Sequence, residues 1–233
     1  MKKMLIAAIV ILSTMTLFSQ EMKFGIRVGE EQFDGAGVFV PEYRSKLEAP
    51  MMVTFMLKDG WDRSPFDERL DGLVEKGAAS GHSVSLVVPC PKSGGEDKYI
   101  SLVKLSERGK GSVAAFELLL SKEDFSEEEL SDPQKLAFTL KKLITSLRGD
   151  SKAKIYIGGL TADLLPVLEP LYREDLTAYV DGYSTFEVDE GGEPPSEVAD
   201  FVQNNHLGAP LRLHLPKVKN ALGAQTMTML ALS

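Results

Sequence analysis

The sequence holds a single carboxyl group inside a long apolar run, Val113-Ala114-Ala115-Phe116-Glu117-Leu118-Leu119-Leu120-Ser121. Such a run reads as a strand buried on both faces that ends at a surface loop. Period-two alternation puts Glu117, Leu119 and Ser121 on one side of it. If that side faces an interior, Glu117 is a buried acid that needs a partner, and a raised pKa is the expected consequence of its burial. Its role is then either structural or catalytic. Two further residues sit where a strand gives way to a loop: Asp59 and Trp61 follow the apolar run Met51 to Leu57. A Trp there is equally a platform for a sugar ring and a packing residue. The acidic loop of Glu187, Asp189, Glu190 and Glu193 reads first as a solvated loop and second as a calcium site, and Glu123 with Glu127, Glu128 and Glu129 reads as a charged loop. His82, His206 and His214 are scattered singly. With the lone Cys90 they offer neither a disulfide nor a zinc-ligand spacing, so no metal and no cofactor are expected.

The elements that must position these residues alternate in type. Strands are expected at Phe24 to Val28, Met51 to Leu57, Ser83 to Val88, the Val113 run, Lys154 to Gly159, Val180 to Phe186, and Pro210 to Leu215. Between them, Ser64-Pro65 opens a helix carrying Phe66, Leu70, Leu73 and Val74 on one face, and the segment Gly77 to Gly81 closes it. Tyr99 to Leu105 is a short helix with Ile100, Leu102, Val103 and Leu105 as its apolar set. Asp132 is an N-cap, Pro133 the first helical residue, Leu136, Leu140, Leu143, Ile144 and Leu147 the apolar stripe, and Gly149 the stop. Pro166 and Pro170 shorten or kink the Leu-rich segment from Thr161 to Tyr172. Ser196 to Asn204 is a helix with Val198, Phe201 and Val202 inward, and Ala221 to Leu232 is helical in composition.

Seven strands with intervening helices point to an α/β fold, a (β/α)8 TIM-barrel-like architecture, more readily than to an open doubly wound sheet. No strand is followed by a Gly-rich phosphate loop, and the Gly158-Gly159 pair lacks the other glycines of a dinucleotide fingerprint. An eighth strand is missing from this reading. The barrel is therefore expected to be incomplete, truncated before that strand, with open edges at the Phe24 and Leu211 strands.

Composition narrows the setting. The 233 residues carry a formal charge of −8. Met1-Lys2-Lys3, the apolar run Met4 to Leu12 and a small residue at Ser19 form a Sec-type signal peptide over residues 1–19, too short an apolar stretch for a stable membrane span of about 20 residues. Its removal takes away Lys2 and Lys3 and no acid, which moves the charge from −8 to −10. An exported acidic chain, periplasmic or extracellular, is a poor partner for nucleic acid, whose affinity comes from basic contacts to phosphate. Residues 20–50 make an N-terminal segment with the first strand, and residues 51–233 the barrel.

Several short motifs occur in barrel order: Phe116-Glu117-Leu118-Leu119-Leu120-Ser121 with Asp132-Pro133 downstream, Ile155-Tyr156-Ile157-Gly158-Gly159, Tyr179-Val180-Asp181-Gly182-Tyr183-Ser184-Thr185-Phe186, and Pro210-Leu211-Arg212-Leu213-His214-Leu215 followed by Ala224-Gln225. In these the region from Val53 to Leu232 resembles the catalytic barrel of clan A glycoside hydrolases. The resemblance implies a retaining mechanism with two carboxyl groups about 5 Å apart, one acid/base and one nucleophile. The family's acid/base Glu falls on Ser121 and its preceding Asn on Leu120. The nucleophile Glu falls on Leu215, and the strand-six His and Tyr fall on Phe186 and Val188. Leu and Phe neither transfer protons nor attack an anomeric carbon. The resemblance therefore implies a pseudoenzyme whose ligand-binding residues are Asp59, Trp61, Ser121, Phe186 and Glu187, binding carbohydrate or an envelope protein. The alternative is an active glycosidase using displaced carboxylates, Glu117 with Glu123 or Glu187.

Overall fold

The structure, a computed structural model, describes residues 23–29, 52–63, 68–188, 193–214, 218–219, 225–226 and 228–232. Seven strands run parallel: β1 (Lys23–Gly29), β2 (Met52–Met56), β3 (Ser83–Pro89), β4 (Val113–Leu119), β5 (Lys154–Gly158), β6 (Gly182–Thr185) and β7 (Leu211–His214). They curl in sequence order, with helices α1 (Glu68–Ala79), α2 (Asp97–Gly109), α3 (Glu127–Ser131), α4 (Pro133–Arg148), α5 (Leu165–Leu168) and α6 (Ser196–Asn205) between them. The fold is an incomplete (β/α)8 barrel of seven parallel strands, as the sequence leads one to expect.

One element differs in kind from the expectation. After the two-residue strands β8 (Val218–Lys219) and β9 (Gln225–Thr226), Thr228–Leu232 forms strand β10 and not the last turn of a helix. β10 is antiparallel to both neighbours, pairing Phe24 with Leu230 on one side and Leu213 with Leu230 on the other. It occupies the gap between β1 and β7, so the two edges expected to be open are paired and the ring of strands closes. Apolar content alone does not separate a helix from a strand over twelve residues. Here two unpaired strand edges facing each other supply what composition lacks.

Alternation along the strands sorts the interior into two layers. Val53, Phe55, Leu86, Phe116, Leu118, Ile155, Ile157, Tyr183, Leu211 and Leu213 point outward and pack with the helices in one apolar cluster. Helix α4 delivers the five predicted residues Leu136, Leu140, Leu143, Ile144 and Leu147 to this layer, all buried. Its start is fixed by the Asp132 carboxylate, which accepts from the Gln134 and Lys135 amides at 3.0 and 3.3 Å, and its end by Gly149 at φ 47°. Helix α2 runs longer than expected and buries Leu102, Leu105, Ser106 and Gly109, while Ile100 and Val103 face outward at 48% and 38% exposure. Pro166 and Pro170 confine α5 to a single turn followed by 3-10 turns.

Among the alternate strand positions, which face the inside of the ring, Thr54, Ser85, Glu117, Ser184, Arg212 and His214 are polar and buried. Close-packed branched side chains usually fill such a barrel. Between Val113 and Ala115 the β3–β4 register shifts by one residue, and exposed Ala114 is the extra residue of this bulge. The shift returns Glu117 to the inward-facing set.

Residues 1–19, where the signal peptide is expected, lie outside the described residues, as do Leu215 and most of 20–50. Among the described residues no helix is long and apolar enough to cross a membrane.

Candidate functional site

Glu117 on β4 is the centre of a buried polar cluster inside the barrel. Arg212 Nη1 donates to its Oε1 at 2.6 Å, and the Ser85 hydroxyl donates to the same oxygen at 3.3 Å. His214 Nε2 lies 2.6 Å from Oε2. Strand β7 supplies both basic groups because Leu211-Arg212-Leu213-His214 alternates, sending the two Leu outward and Arg212 and His214 inward. The Arg212 guanidinium also lies over the Tyr156 ring, 3.6 Å from its centroid. Gly182 makes room for that ring, since a Cβ there would run into the Tyr156 ring and meet the Pro210 carbonyl at 2.8 Å.

Burial pushes the Glu117 carboxyl up, but the charge and hydrogen bond of His214, followed by those of Arg212, outweigh it and hold the group well below the usual carboxylate range. This corrects the expected raised pKa. Burial was the basis of that expectation, and the structure adds one guanidinium and one imidazole on the two carboxylate oxygens. A carboxylate held ionised and fully enclosed is a fixed anion. It is poorly suited to donating a proton near neutral pH.

At the mouth formed by the strand C-termini, the predicted residues do not converge on one point. Ser121 is half-buried and caps a 3-10 turn: its amide and hydroxyl both donate to Asp124 Oδ2, at 2.7 and 3.1 Å. Glu123 is exposed, as is Glu187, whose amide donates to the Thr185 hydroxyl at 3.0 Å. Trp61 is buried at 8% exposure, and its indole N–H donates to the Pro89 carbonyl at 2.8 Å, so its ring packs in the apolar layer. Asp59 remains exposed, 3.9 Å from Lys92 Nζ. Lys92 itself pairs with Asp124 at 2.5 Å, and that hydrogen bond raises its pKa. The neighbouring Asp62 accepts the Lys92 and Ser93 amides at 3.1 and 2.7 Å. Burial pushes the Asp62 carboxyl up, but the Ser93 hydroxyl and these amides win and lower it. These contacts fasten the loops after β2, β3 and β4 to one another.

Phe186 is half-buried beyond the end of β6. One face of its ring stacks on His214, with centroids 4.4 Å apart and 13° between planes, and the Arg27 guanidinium lies 4.7 Å from its centroid. Phe186 and His214 therefore meet, a pairing that links a predicted ligand-binding residue to the buried cluster. Arg212 and His214 were not singled out together from sequence. The signal was the i, i+2 pair of basic residues on one side of a strand, opposite the single acid of β4.

Cys90 is buried, and burial pushes its thiol up to about 12, with Asp124 adding to the rise. Among the described residues no group of three or more His, Cys, Asp or Glu side chains is arranged to hold a metal ion.

No family profile matches the chain, and no curated protein matches its sequence. Solved structures do match. A point mutant of the O-GlcNAc hydrolase of Thermobaculum terrenum superposes with a TM-score of 0.55 at 14% identity, covering 84% of this chain and 47% of that one. A GH10 endoxylanase retrieved from a sugarcane soil metagenome gives a TM-score of 0.55 at 12% identity, covering 88% of this chain and 72% of that one. The chain thus spans less than half the length of the first of these enzymes. At such identities the likeness is one of fold alone, that of an incomplete (β/α)8 barrel.

Proposed function

We propose that this chain is an exported glycoside-hydrolase-like barrel, cut off from catalysis, that binds carbohydrate or an envelope protein. The observation that carries the reading is the state of Glu117. The sole acid of β4 is sealed inside the barrel with both oxygens committed to Arg212, Ser85 and His214. Ser121, at the position of the family's acid/base by resemblance, spends its hydroxyl on Asp124. Leu215, at the nucleophile position, has no atom able to attack an anomeric carbon.

Both structural neighbours are named as glycosidases, which makes xylan fragments and O-GlcNAc-type sugars the first probes. The purified chain should hydrolyse no aryl glycoside above background while binding one of these sugars, or an envelope fraction, in calorimetric titration. Turnover abolished by Glu123→Gln, Glu187→Gln or Glu117→Gln overturns the reading in favour of displaced carboxylates. Export carries its own test: the mature protein should begin at Gln20 by mass spectrometry, and a full-length chain in the cytosol contradicts it.

A further inference from the structure

Inside the barrel, His214 Nδ1 and Ser184 Oγ are buried without a hydrogen-bond partner among the described residues. They lie on neighbouring strands. Ser184 on β6 is in register with Arg212 on β7, and His214 is two residues further towards the mouth on the same side of β7. Tyr183, beside Ser184, packs outward and accepts a hydrogen bond from Tyr172 at 2.7 Å, which leaves Ser184 facing inward. Consistent with that placement, a Cβ on Gly158 of β5 would sit 3.1 Å from the Ser184 hydroxyl.

Glu117 fixes the state of His214. An ionised carboxylate oxygen only accepts, so the nitrogen 2.6 Å away, Nε2, carries the proton. The other ring nitrogen, Nδ1, is left buried with no partner among the described residues. Buried polar atoms in folded proteins are generally paired, and two orphans on adjacent strands of one interior call for a common explanation. Resting on the carbohydrate reading above, we infer that His214 and Ser184 are the ligand-reading pair of the barrel. The occupant is a hydroxyl-bearing group, with sugar hydroxyls bonding to His214 Nδ1 and to Ser184 Oγ. Glu117 is then a positioning residue that orients the imidazole through its contact with Nε2. Phe186, stacked on the same imidazole, holds the ring plane.

The test uses the full chain, the xylan-fragment and O-GlcNAc-type probes, and two variants. Ser184→Ala removes a hydroxyl that has no partner among the described residues. His214→Gln keeps an N–H donor towards Glu117 and removes Nδ1. Each should weaken sugar binding about fivefold to tenfold, the loss of one neutral hydrogen bond. Ser184→Ala should leave the melting temperature equal or higher, which a purely structural hydroxyl would not do. In the unmodified chain, the His214 Nδ1 resonance should move from the position of an unbonded nitrogen when sugar is added. Sugar binding that both variants retain in full, with an unmoved Nδ1 resonance, overturns this inference and leaves the carbohydrate reading standing. A chain that binds none of the probes removes both.

Discussion

Glu117 and Arg212 form a buried charge pair whose two members are worth little singly. Taking either charge out of water costs several kcal/mol, and the partner offsets it only while both are present. Glu117→Gln is therefore expected to destabilise the fold by about 3–5 kcal/mol, because it leaves Arg212 buried without its counter-charge. Arg212→Met combined with Glu117→Gln should cost less than the sum of the single changes, which a double-mutant cycle in urea measures directly. The pH dependence follows from the same contacts. The folded carboxyl titrates below the unfolded value of 4.5, so the unfolded chain binds the proton first. The stability contributed by Glu117 is present in full above pH 4.5 and is lost as the pH falls through the depressed folded value. Denaturation curves recorded downward from pH 5 should steepen in their loss of stability for the parent chain. The Glu117→Gln variant should show a flatter profile, and equal slopes would show that the pair does not control acid stability.

Strands and helices were largely legible in the sequence, and the reasons can be assigned element by element. Asp132, Pro133 and Gly149 mark the ends of α4 by local backbone chemistry, which needs no knowledge of the rest of the chain. Strands β2 to β5 were visible as apolar runs for the same reason, and β7 as an alternating one. The polar interior was less visible. Arg212 and His214 reach Glu117 only because β4 and β7 lie across the ring from each other, and no local pattern encodes that meeting. Helix α2 went partly astray because four apolar residues in seven positions cannot all share one face, and Ile100 and Val103 turn outward. Gly182 shows how tightly one element constrains another. A methyl group there would overlap the Tyr156 ring and the Pro210 carbonyl, and the carbonyl belongs to backbone with little freedom to retreat. Gly182→Ala should thus cost about 1–3 kcal/mol, the usual penalty for overpacking, and should loosen Arg212 from the Tyr156 face. A thermal melt unchanged from the parent would mean that β6 and β5 can separate more easily than their registry implies.

Closure of the barrel is a property of the whole chain, since β1 and β7 are joined through β10 and not to each other. β10 pairs four residues with each neighbour, Lys23 to Ile26 on β1 and Leu211 to His214 on β7. Running antiparallel, it fills the eighth position without the crossover helix that a parallel strand requires. The backbone donors and acceptors of β1 and β7 would otherwise form two exposed edges, each a template for pairing with another copy. With β10 in place the full chain is expected to be a monomer that melts cooperatively, in contrast to the aggregation-prone, open-edged barrel that a seven-strand count alone implies. Removing Thr228–Leu232 should restore those edges. Because a domain is stable by only about 5–15 kcal/mol, losing two ladders at once should broaden or abolish the melt and shift the protein to higher oligomers. Size-exclusion chromatography with light scattering at micromolar concentration compares the two forms. A shortened chain that stays monomeric and melts at the same temperature would mean that β10 adds nothing to closure, and that the first and seventh strands are protected by other means.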